Sequence, residues 1–205
     1  STRNYIMALA SLEKIREKDP EIEQAYQKVA FYRGLELYKN LRFTEAVDVL
    51  ERSLKYARYD PVIASRSYFW LGEAAYRSGD PETARIYYNE FLDDGSAPGQ
   101  QEYALCHYSM GYIFFDQEAY DRSMNWFNRY IRLEEDRQAS TFSDAYNRVA
   151  DCYFIRKDYW QAIEFYDLAI ESGQADSDYA MFQKGFTLGL LDRPQEKVQV
   201  LTRLT

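Results

Sequence analysis

The sequence predicts an all-α fold, an α-solenoid of antiparallel helical hairpins, and three observations support this class. Apolar and small residues recur at helical spacing, turn-forming residues interrupt that spacing, and the whole arrangement returns every 35 to 39 residues along the 205-residue chain. One hairpin cannot bury its apolar faces alone, whereas stacked neighbours can. We therefore expect a single domain, residues 1–205, with eleven helices in about five and a half repeats.

The segment Tyr68–Leu92 shows one hairpin most clearly. Two sets of residues keep the i, i+4, i+7 spacing of a helix: Tyr68, Gly72 and Ala75, then Ala84, Tyr88 and Phe91. Between them, Gly79 is suited to end one helix, Asp80 to cap the next, and Pro81 to occupy its first position. The segment therefore predicts two helices joined by a tight turn.

Four positions of this hairpin recur along the chain. A small first-helix residue returns as Gly34, Gly72, Gly111, Ala150 and Gly185, and a small second-helix residue as Ala46, Ala84, Ser123 and Ala162, with Lys197 as the exception. A bulky residue returns as Leu50, Tyr88, Phe127, Tyr166 and Leu201, and a residue beside the turn as Phe43, Pro81, Tyr120, Tyr159 and Pro194. Small residues let paired helices approach closely, and bulky ones fill the space between hairpins. The stem of Lys197 is expected to lie along apolar surface, with its ammonium group in water.

The period also predicts the boundaries of the repeats. Tyr5, Ala8, Leu12 and Ile15 match a second helix alone. The expected units are a half repeat at 1–19 and repeats at about 20–59, 60–96, 97–137, 138–174 and 175–205. Because the chain opens within a repeat and its last helix leaves Val198, Leu201 and Leu204 uncovered, we expect a piece of a longer array.

The pattern of aromatic, Leu-Gly, aromatic, then Ala, aromatic, Ala resembles the tetratricopeptide repeat family over nearly the whole chain. The usual period of that family is about 34 residues, and the longer period here is similar to that of bacterial periplasmic and outer-membrane-associated members. The resemblance implies a non-enzymatic scaffold whose first helices line a concave groove. It also implies a periplasmic or outer-membrane-associated location in a bacterial cell envelope, with the cytoplasm as the alternative.

Carried over by position, the resemblance also implies which residues line the groove. They are Lys28, Phe31, Tyr38, Arg66, Phe69, Tyr76, Arg77, Tyr108, Tyr112, Phe115, Asp144, Asn147, Asp151, Phe182 and Phe186, with Leu35, Lys39, Glu73, Leu105, Asp116, Phe154 and Tyr179 on the same stripe. Aromatic side chains are good anchors for a bound segment. The cations lie early in the list and the aspartates later, so a partner segment would place acidic residues toward the early repeats and basic residues toward the later ones. The alternative is that many of these aromatics pack between hairpins.

Composition excludes several classes of partner. The 33 acidic and 25 basic residues leave a net charge of −8, whereas nucleic-acid binding needs clustered Lys and Arg. No run approaches 18 consecutive apolar residues, so we expect no membrane insertion.

The sequence offers no catalytic or metal-binding constellation. Cys106 and Cys152 match no metal or redox spacing and are interpreted as small buried hydrophobes. His107 occupies a packing position of the repeat, and the acidic pairs lie in the turns between units. We expect no catalytic residues, no metal and no cofactor.

These observations favour a scaffold that binds a protein or peptide segment. One alternative is a structural module that self-associates through its terminal helices. A glycan-binding module is less favoured, because Trp70, Trp126 and Trp160 do not occupy equivalent positions of the repeat.

Overall fold

A computed structural model describes residues 4–173 and 177–204, and these residues form eleven α-helices, one 3-10 turn and no strand. The predicted all-α class and number of helices are confirmed. The helices are α1 (Tyr5–Glu13), α2 (Pro20–Lys39), α3 (Phe43–Leu54), α4 (Pro61–Arg77), α5 (Pro81–Asp93), α6 (Glu102–Asp116), α7 (Tyr120–Leu133), α8 (Ser140–Ile155), α9 (Tyr159–Glu171), α10 (Ser177–Leu190) and α11 (Pro194–Leu201), with the 3-10 turn at Ala97–Gly99. The repeat boundary expected at residues 174 and 175 lies outside the described residues.

The chain divides into two compact units, Ser1–Cys106 and His107–Thr205. In the first unit α1 packs on the hairpin α2/α3, which is followed by the hairpin α4/α5. In the second unit α7 packs on α8, within the hairpin α8/α9, and α10 pairs with α11. Helix α6 begins in the first unit and ends in the second.

Asp-Pro pairs begin several of the helices. Asp19, Asp60 and Asp80 each cap a helix whose first residue is proline. The Oδ1 of Asp80 accepts a hydrogen bond from the backbone N–H of Thr83 at 3.0 Å, which satisfies one of the free donors of the first turn. Gly79, just before this cap, has a φ of +87°, so its role in ending the previous helix is confirmed.

Every hairpin turn has the same backbone geometry. One residue in each turn adopts a left-handed conformation: Leu41, Gly79, Glu118, Lys157 and Asp192, with φ of 60°, 87°, 58°, 66° and 55°. The second helix begins two residues later, at Phe43, Pro81, Tyr120, Tyr159 and Pro194. The residues predicted to lie beside the turn are therefore the first residues of the second helices. Four of the five left-handed positions hold a residue with a side chain, although glycine adopts this conformation at lower cost.

The repeated glycines lie where the two helices of a hairpin touch. A methyl group added at Gly34 would lie 2.5 Å from Cγ of Leu50, and one added at Gly72 would lie 2.5 Å from the Tyr88 ring. Gly111 faces Phe127 and Gly185 faces Leu201 in the same way. In every case the facing side chain is the bulky residue 16 positions further along the chain. The predicted close approach is confirmed, and it lies within each hairpin.

The last hairpin accommodates Lys197 by a second substitution. The position of Lys197 is small in the other hairpins, but here Gly189 lies opposite, and a Cβ at Gly189 would be 3.4 Å from Cδ of Lys197. Residues equivalent to Gly189 are aromatic in the other hairpins: Tyr38, Tyr76, Phe115 and Phe154. The missing aromatic ring leaves room for the stem of the partly buried Lys197.

The two cysteines and the histidine are packing residues, as predicted. Cys106 and Cys152 are free and buried, and burial raises the pKa of the Cys152 thiol to about 12. The buried ring of His107 lies 5.4 Å from the Trp126 ring. Among the described residues, no α-helix combines the length and the apolar character needed to cross a bilayer.

Candidate partner-binding surfaces

Two predicted groove residues of the first unit lie in its core. Phe31 is 0% exposed and Phe69 is 2% exposed. Phe31 belongs to a buried cluster with Ile63 and Leu71, which come from the next hairpin. These two rings therefore pack, and they offer no area to a partner.

Arg66 is held by a buried carboxylate of the first unit. Its Nε and Nη2 atoms donate to Oε1 of Glu102 at 2.8 and 2.7 Å, and its guanidinium lies 5.2 Å from the centre of the Phe31 ring. The indole N–H of Trp70 also donates to Glu102, at 3.3 Å. The charge of Arg66 is therefore neutralised inside the unit.

Glu73 joins two tyrosines in the same unit. The Tyr38 hydroxyl donates to its Oε2 at 3.0 Å and the Tyr88 hydroxyl to its Oε1 at 2.7 Å. Burial, together with the nearby Glu73 carboxylate, raises the pKa of Tyr38 above its ordinary value. The Tyr38 ring also makes an edge contact with Trp70 at 5.1 Å, so this tyrosine is held on both sides.

The remaining predicted groove residues of the first unit are more exposed to solvent. Lys28, Lys39 and Arg77 are exposed, and Leu35, Glu73 and Tyr76 are partly buried. Lys28 borders a recess of about 240 Å³ that is also lined by Glu21 and Asp60. The exposed charges on the first helices of this unit are therefore mainly positive.

The second unit contains a cluster of charges centred on Arg148 of α8. Its Nη1 lies 2.8 Å from Oδ2 of Asp151, and its Nε lies 3.5 Å from Oδ1 of Asp144. The guanidinium is placed 5.6 Å from the centre of the Phe115 ring and 5.1 Å from that of Tyr179. Burial lowers the pKa of Arg148, but the carboxylates of Asp151 and Asp144 have the larger combined effect, so the pKa of Arg148 is raised above its ordinary value.

Four tyrosine hydroxyls complete the Arg148 cluster. Tyr108 donates to Oδ2 of Asp144 at 2.8 Å, and Tyr112 donates to the same oxygen. Asp151 accepts from Tyr166 at 2.7 Å and from Tyr179 at 2.9 Å. Burial raises the pKa of Asp151, while Arg148 and the tyrosines act in the opposite direction. With both aspartates ionised, the cluster carries one net negative charge.

Helix α10 leaves an aromatic stripe exposed beside this cluster. Tyr179, Phe182 and Phe186 follow one another at i, i+3 and i+7 on one face and are 36, 56 and 47% exposed. The Phe154 ring packs 5.9 Å from that of Phe186. Of the other predicted residues, Asn147 is buried, Phe115 and Phe154 are partly buried, and Leu105 and Asp116 are exposed.

Several residues that organise these surfaces were missed by the sequence reasoning. Arg148, Trp70 and Glu102 each link neighbouring first helices, yet none of them belongs to the predicted stripe. Of these three residues, only Arg148 could have been predicted from the sequence. Asp144 lies four residues before it and Asp151 three residues after it, on one helical face, and this spacing predicts ion pairs.

Comparisons with known proteins agree with this architecture. A family model described as tetratricopeptide repeat matches residues 33–101, and another of the same description matches residues 143–172. No curated protein sequence matches the chain. Members of this repeat family generally act as non-enzymatic scaffolds that bind protein partners.

Solved structures resemble the chain in fold. BtubC (BKLC) from P. vanneervenii is 15% identical, with 98% of this chain and 86% of that chain covered and a TM-score of 0.74. MamA from Desulfovibrio magneticus RS-1 is 13% identical, with 87% and 93% covered and a TM-score of 0.70. The apo form of RapI is 14% identical, with 98% and 57% covered and a TM-score of 0.78.

At these identities the likeness concerns the fold, and it confirms the predicted class of an all-α solenoid built from helical hairpins. The two family matches, the recurring small residues and the hairpins that close on them lead to one conclusion: the chain contains tetratricopeptide repeats, in residues 33–101 and 143–172.

Proposed function

We propose that the first-helix face of the second unit binds a segment of a protein partner that carries apolar and basic side chains. The observation that supports this most directly is the exposed aromatic stripe Tyr179, Phe182 and Phe186 beside the Arg148 cluster. Rigid aromatic rings bury a large area at low cost in side-chain entropy, which makes them good anchors.

Electrostatics supports the choice of a basic segment. Asp144 and Asp151 exceed the single charge of Arg148, and Asp116 adds an exposed carboxylate on α6. Because their hydrogen bonds hold the two aspartates in place, little ordering is required when a cation approaches. The exposed Lys28, Lys39 and Arg77 of the first unit would favour acidic residues in the same way.

Selection of peptides from a random displayed library against the purified protein tests the proposal. We expect the selected peptides to be rich in apolar residues together with Lys or Arg. The double variant Phe182→Ala and Phe186→Ala should bind them at least about tenfold more weakly, since tenfold corresponds to about 1.4 kcal/mol of lost contact.

The matched control is Val62→Ala with Ile86→Ala, which removes two similarly exposed apolar side chains from the first unit. This control should bind like the parent. Equal losses in the two double variants, or peptides without basic residues, would show that the proposed face is wrong.

Self-association is a second candidate, supported by exposed apolar side chains on the terminal helices. Ile6 and Met7 are exposed on α1, and Val198 is exposed on α11. For this function, sedimentation should show a mass that rises with protein concentration, and Met7→Asp with Val198→Asp should abolish the rise. A strictly monomeric parent protein would reject this candidate.

The bacterial cell envelope is part of the proposal as the cellular location. Its support is the period of 38 to 39 residues through most of the chain, which resembles that of envelope-associated members of the family. Fractionation of cells that express the parent gene tests it, because recovery in the cytoplasmic fraction alone would favour the alternative.

A further inference from the structure

Helix α7 carries an arginine stripe that the repeat fold does not use. The arginine stripe consists of Arg122, Arg129 and Arg132, all exposed and all on one side of the helix. In the part of the chain that the structure describes, none of the three forms an ion pair, whereas many other arginines do. Three uncompensated positive charges on one helix are unusual in a chain of net charge −8.

Aromatic rings hold two of these guanidinium groups in place. Arg129 lies 5.0 Å from the centre of the Trp126 ring, and Arg122 lies 5.5 Å from that of Phe114. The Phe114 and Trp126 rings are themselves stacked, with centres 6.5 Å apart and an angle of 9° between them. A guanidinium that rests on a ring keeps its in-plane N–H donors available and has already lost part of its rotamer freedom. Both effects favour bidentate binding of a carboxylate.

Stacking of the repeats does not require these arginines. The residues 39 positions earlier, on α5, are Thr83, Glu90 and Asp93, and those 39 positions later, on α9, are Gln161, Leu168 and Glu171. The same positions of the hairpin are therefore neutral or acidic in the neighbouring second helices. The positive charge is a property of α7 alone among these three helices.

We infer that the arginine stripe with Trp126 is a second interaction surface, which binds an acidic segment of a partner protein. Arg122 and Arg129 are seven residues apart, about 10 Å along the helix axis. The partner should therefore present Asp or Glu side chains at about that separation, as residues seven apart on a helix do. Arginine and tryptophan are among the residue types enriched at the positions that contribute most to affinity in protein interfaces.

An acidic protein segment fits this surface better than a nucleic acid does. Three arginines reach only a few phosphates, and the strong negative charge of the chain repels a long polyanion. The arginine stripe lies on a second helix, so this inference is independent of the first-helix face proposed above.

Fluorescence anisotropy with a labelled synthetic peptide tests the inference. The probe is a helical alanine-rich peptide with glutamates at two positions seven residues apart, and the same peptide with glutamines serves as its control. We expect the parent protein to bind the glutamate peptide, and Arg122→Gln with Arg129→Gln to weaken binding about tenfold. Arg122→Lys with Arg129→Lys keeps the charge but loses the planar fork, and should weaken binding about threefold.

The matched control is Arg42→Gln with Arg85→Gln, which removes the same charge from an exposed and a partly buried arginine that pair with Glu45 and Glu82. It should bind like the parent. No binding by the parent protein, equal losses in both glutamine double variants, or equal binding of the glutamine peptide would overturn the inference. Displacement of the peptide by single-stranded DNA at the same concentration would overturn it in favour of a nucleic acid. Dimerisation of the parent protein and of the control, but not of Arg122→Gln with Arg129→Gln, would also overturn the inference. The partner of the arginine stripe would then be a second copy of the chain.

Discussion

The hairpins α4/α5 and α8/α9 are built on the same contact. In the first, Tyr88 lies over Gly72 and its hydroxyl donates to Glu73. The second repeats this arrangement with Ala150, Tyr166 and Asp151, and both hydroxyl-to-carboxylate distances are 2.7 Å. The other three hairpins have no tyrosine at the bulky position, which holds Leu50, Phe127 and Leu201. In these hairpins the residue equivalent to Glu73 and Asp151 is not a carboxylate: it is Leu35, Tyr112 and Phe186, respectively. The carboxylate therefore accompanies the tyrosine as its hydrogen-bond partner.

Around this shared contact, the two hairpins differ in charge at equivalent positions. Arg66 and Trp70 of α4 correspond to Asp144 and Arg148 of α8. The first pair is held by Glu102, whereas the second holds Asp151 and a set of tyrosines. The contact between paired helices is therefore retained in both hairpins, while residues at neighbouring positions differ and give each hairpin a different surface chemistry.

Removal of Asp151 should have the largest effect on stability. Asp151→Ala leaves Asp144, at 3.5 Å, as the remaining carboxylate beside Arg148 and deprives two tyrosine hydroxyls of their acceptor. We therefore expect a loss of about 3–4 kcal/mol in the free energy of unfolding. Glu73→Ala, the equivalent change in α4, removes a partly buried carboxylate that accepts from two tyrosine hydroxyls, and should cost about 1–2 kcal/mol. Urea unfolding of both variants checks the difference, and equal losses would show that the Arg148 pair contributes little.

A bulky side chain at the contact point should have the next largest effect. Gly72→Leu places atoms where the Tyr88 ring lies and should cost about 2–3 kcal/mol through overpacking. Gly95→Leu is the control, because a Cβ at Gly95 meets no atom within 4 Å. A urea midpoint of Gly72→Leu equal to that of the parent would contradict the assigned contact.

Alkaline pH should destabilise the second unit through its buried tyrosines. Burial first, and nearby carboxylates second, raise the pKa of Tyr108, Tyr112 and Tyr166 above the ordinary value near 10. A raised pKa contributes stability that is present below pH 10 and is lost as the pH rises toward the folded-state value. Each such tyrosine should remove up to about 1.4 kcal/mol per pH unit in that range. Chemical unfolding between pH 8 and 11 measures this slope, which Tyr166→Phe should reduce.

The smallest expected effects concern the turns of the same two hairpins. Lys157 and Gly79 occupy equivalent left-handed positions, with φ of 66° and 87°. Lys157→Gly should stabilise the protein by about 0.5–1 kcal/mol, because glycine adopts this conformation without a steric penalty. Gly79→Ala should destabilise it by about 1 kcal/mol. Thermal melts of the two variants should shift in opposite directions, and shifts of the same sign would contradict this explanation.

Much of the fold follows from the sequence because the repeat presents each local rule five times. The positions of Gly72 and Tyr88 relative to each other, and the helix starts at Pro81 and Pro194, depend on short-range packing and capping. Such features are visible in residue spacing alone.

The surfaces were harder to predict, because the exposure of a side chain depends on which residues of other helices cover it. Phe31 and Phe182 stand at equivalent positions, yet one is buried beneath Ile63 and Leu71 and the other is exposed. The spacing of residues along one helix does not distinguish these environments. The ion pair of Arg66 with Glu102 and the ring contact of Arg148 with Tyr179 join different helices, so the spacing along one helix does not predict them either.

The separation of 16 residues between each small residue and its bulky partner has a consequence for folding. Loop-closure entropy rises with the length of the closed segment, so a contact this local forms at low entropic cost. Proteins rich in local contacts fold fast, and each hairpin can act as its own nucleus. We therefore expect opening events measured by amide hydrogen exchange to involve single hairpins, with protection highest for the amides around Ala84 and Ala162.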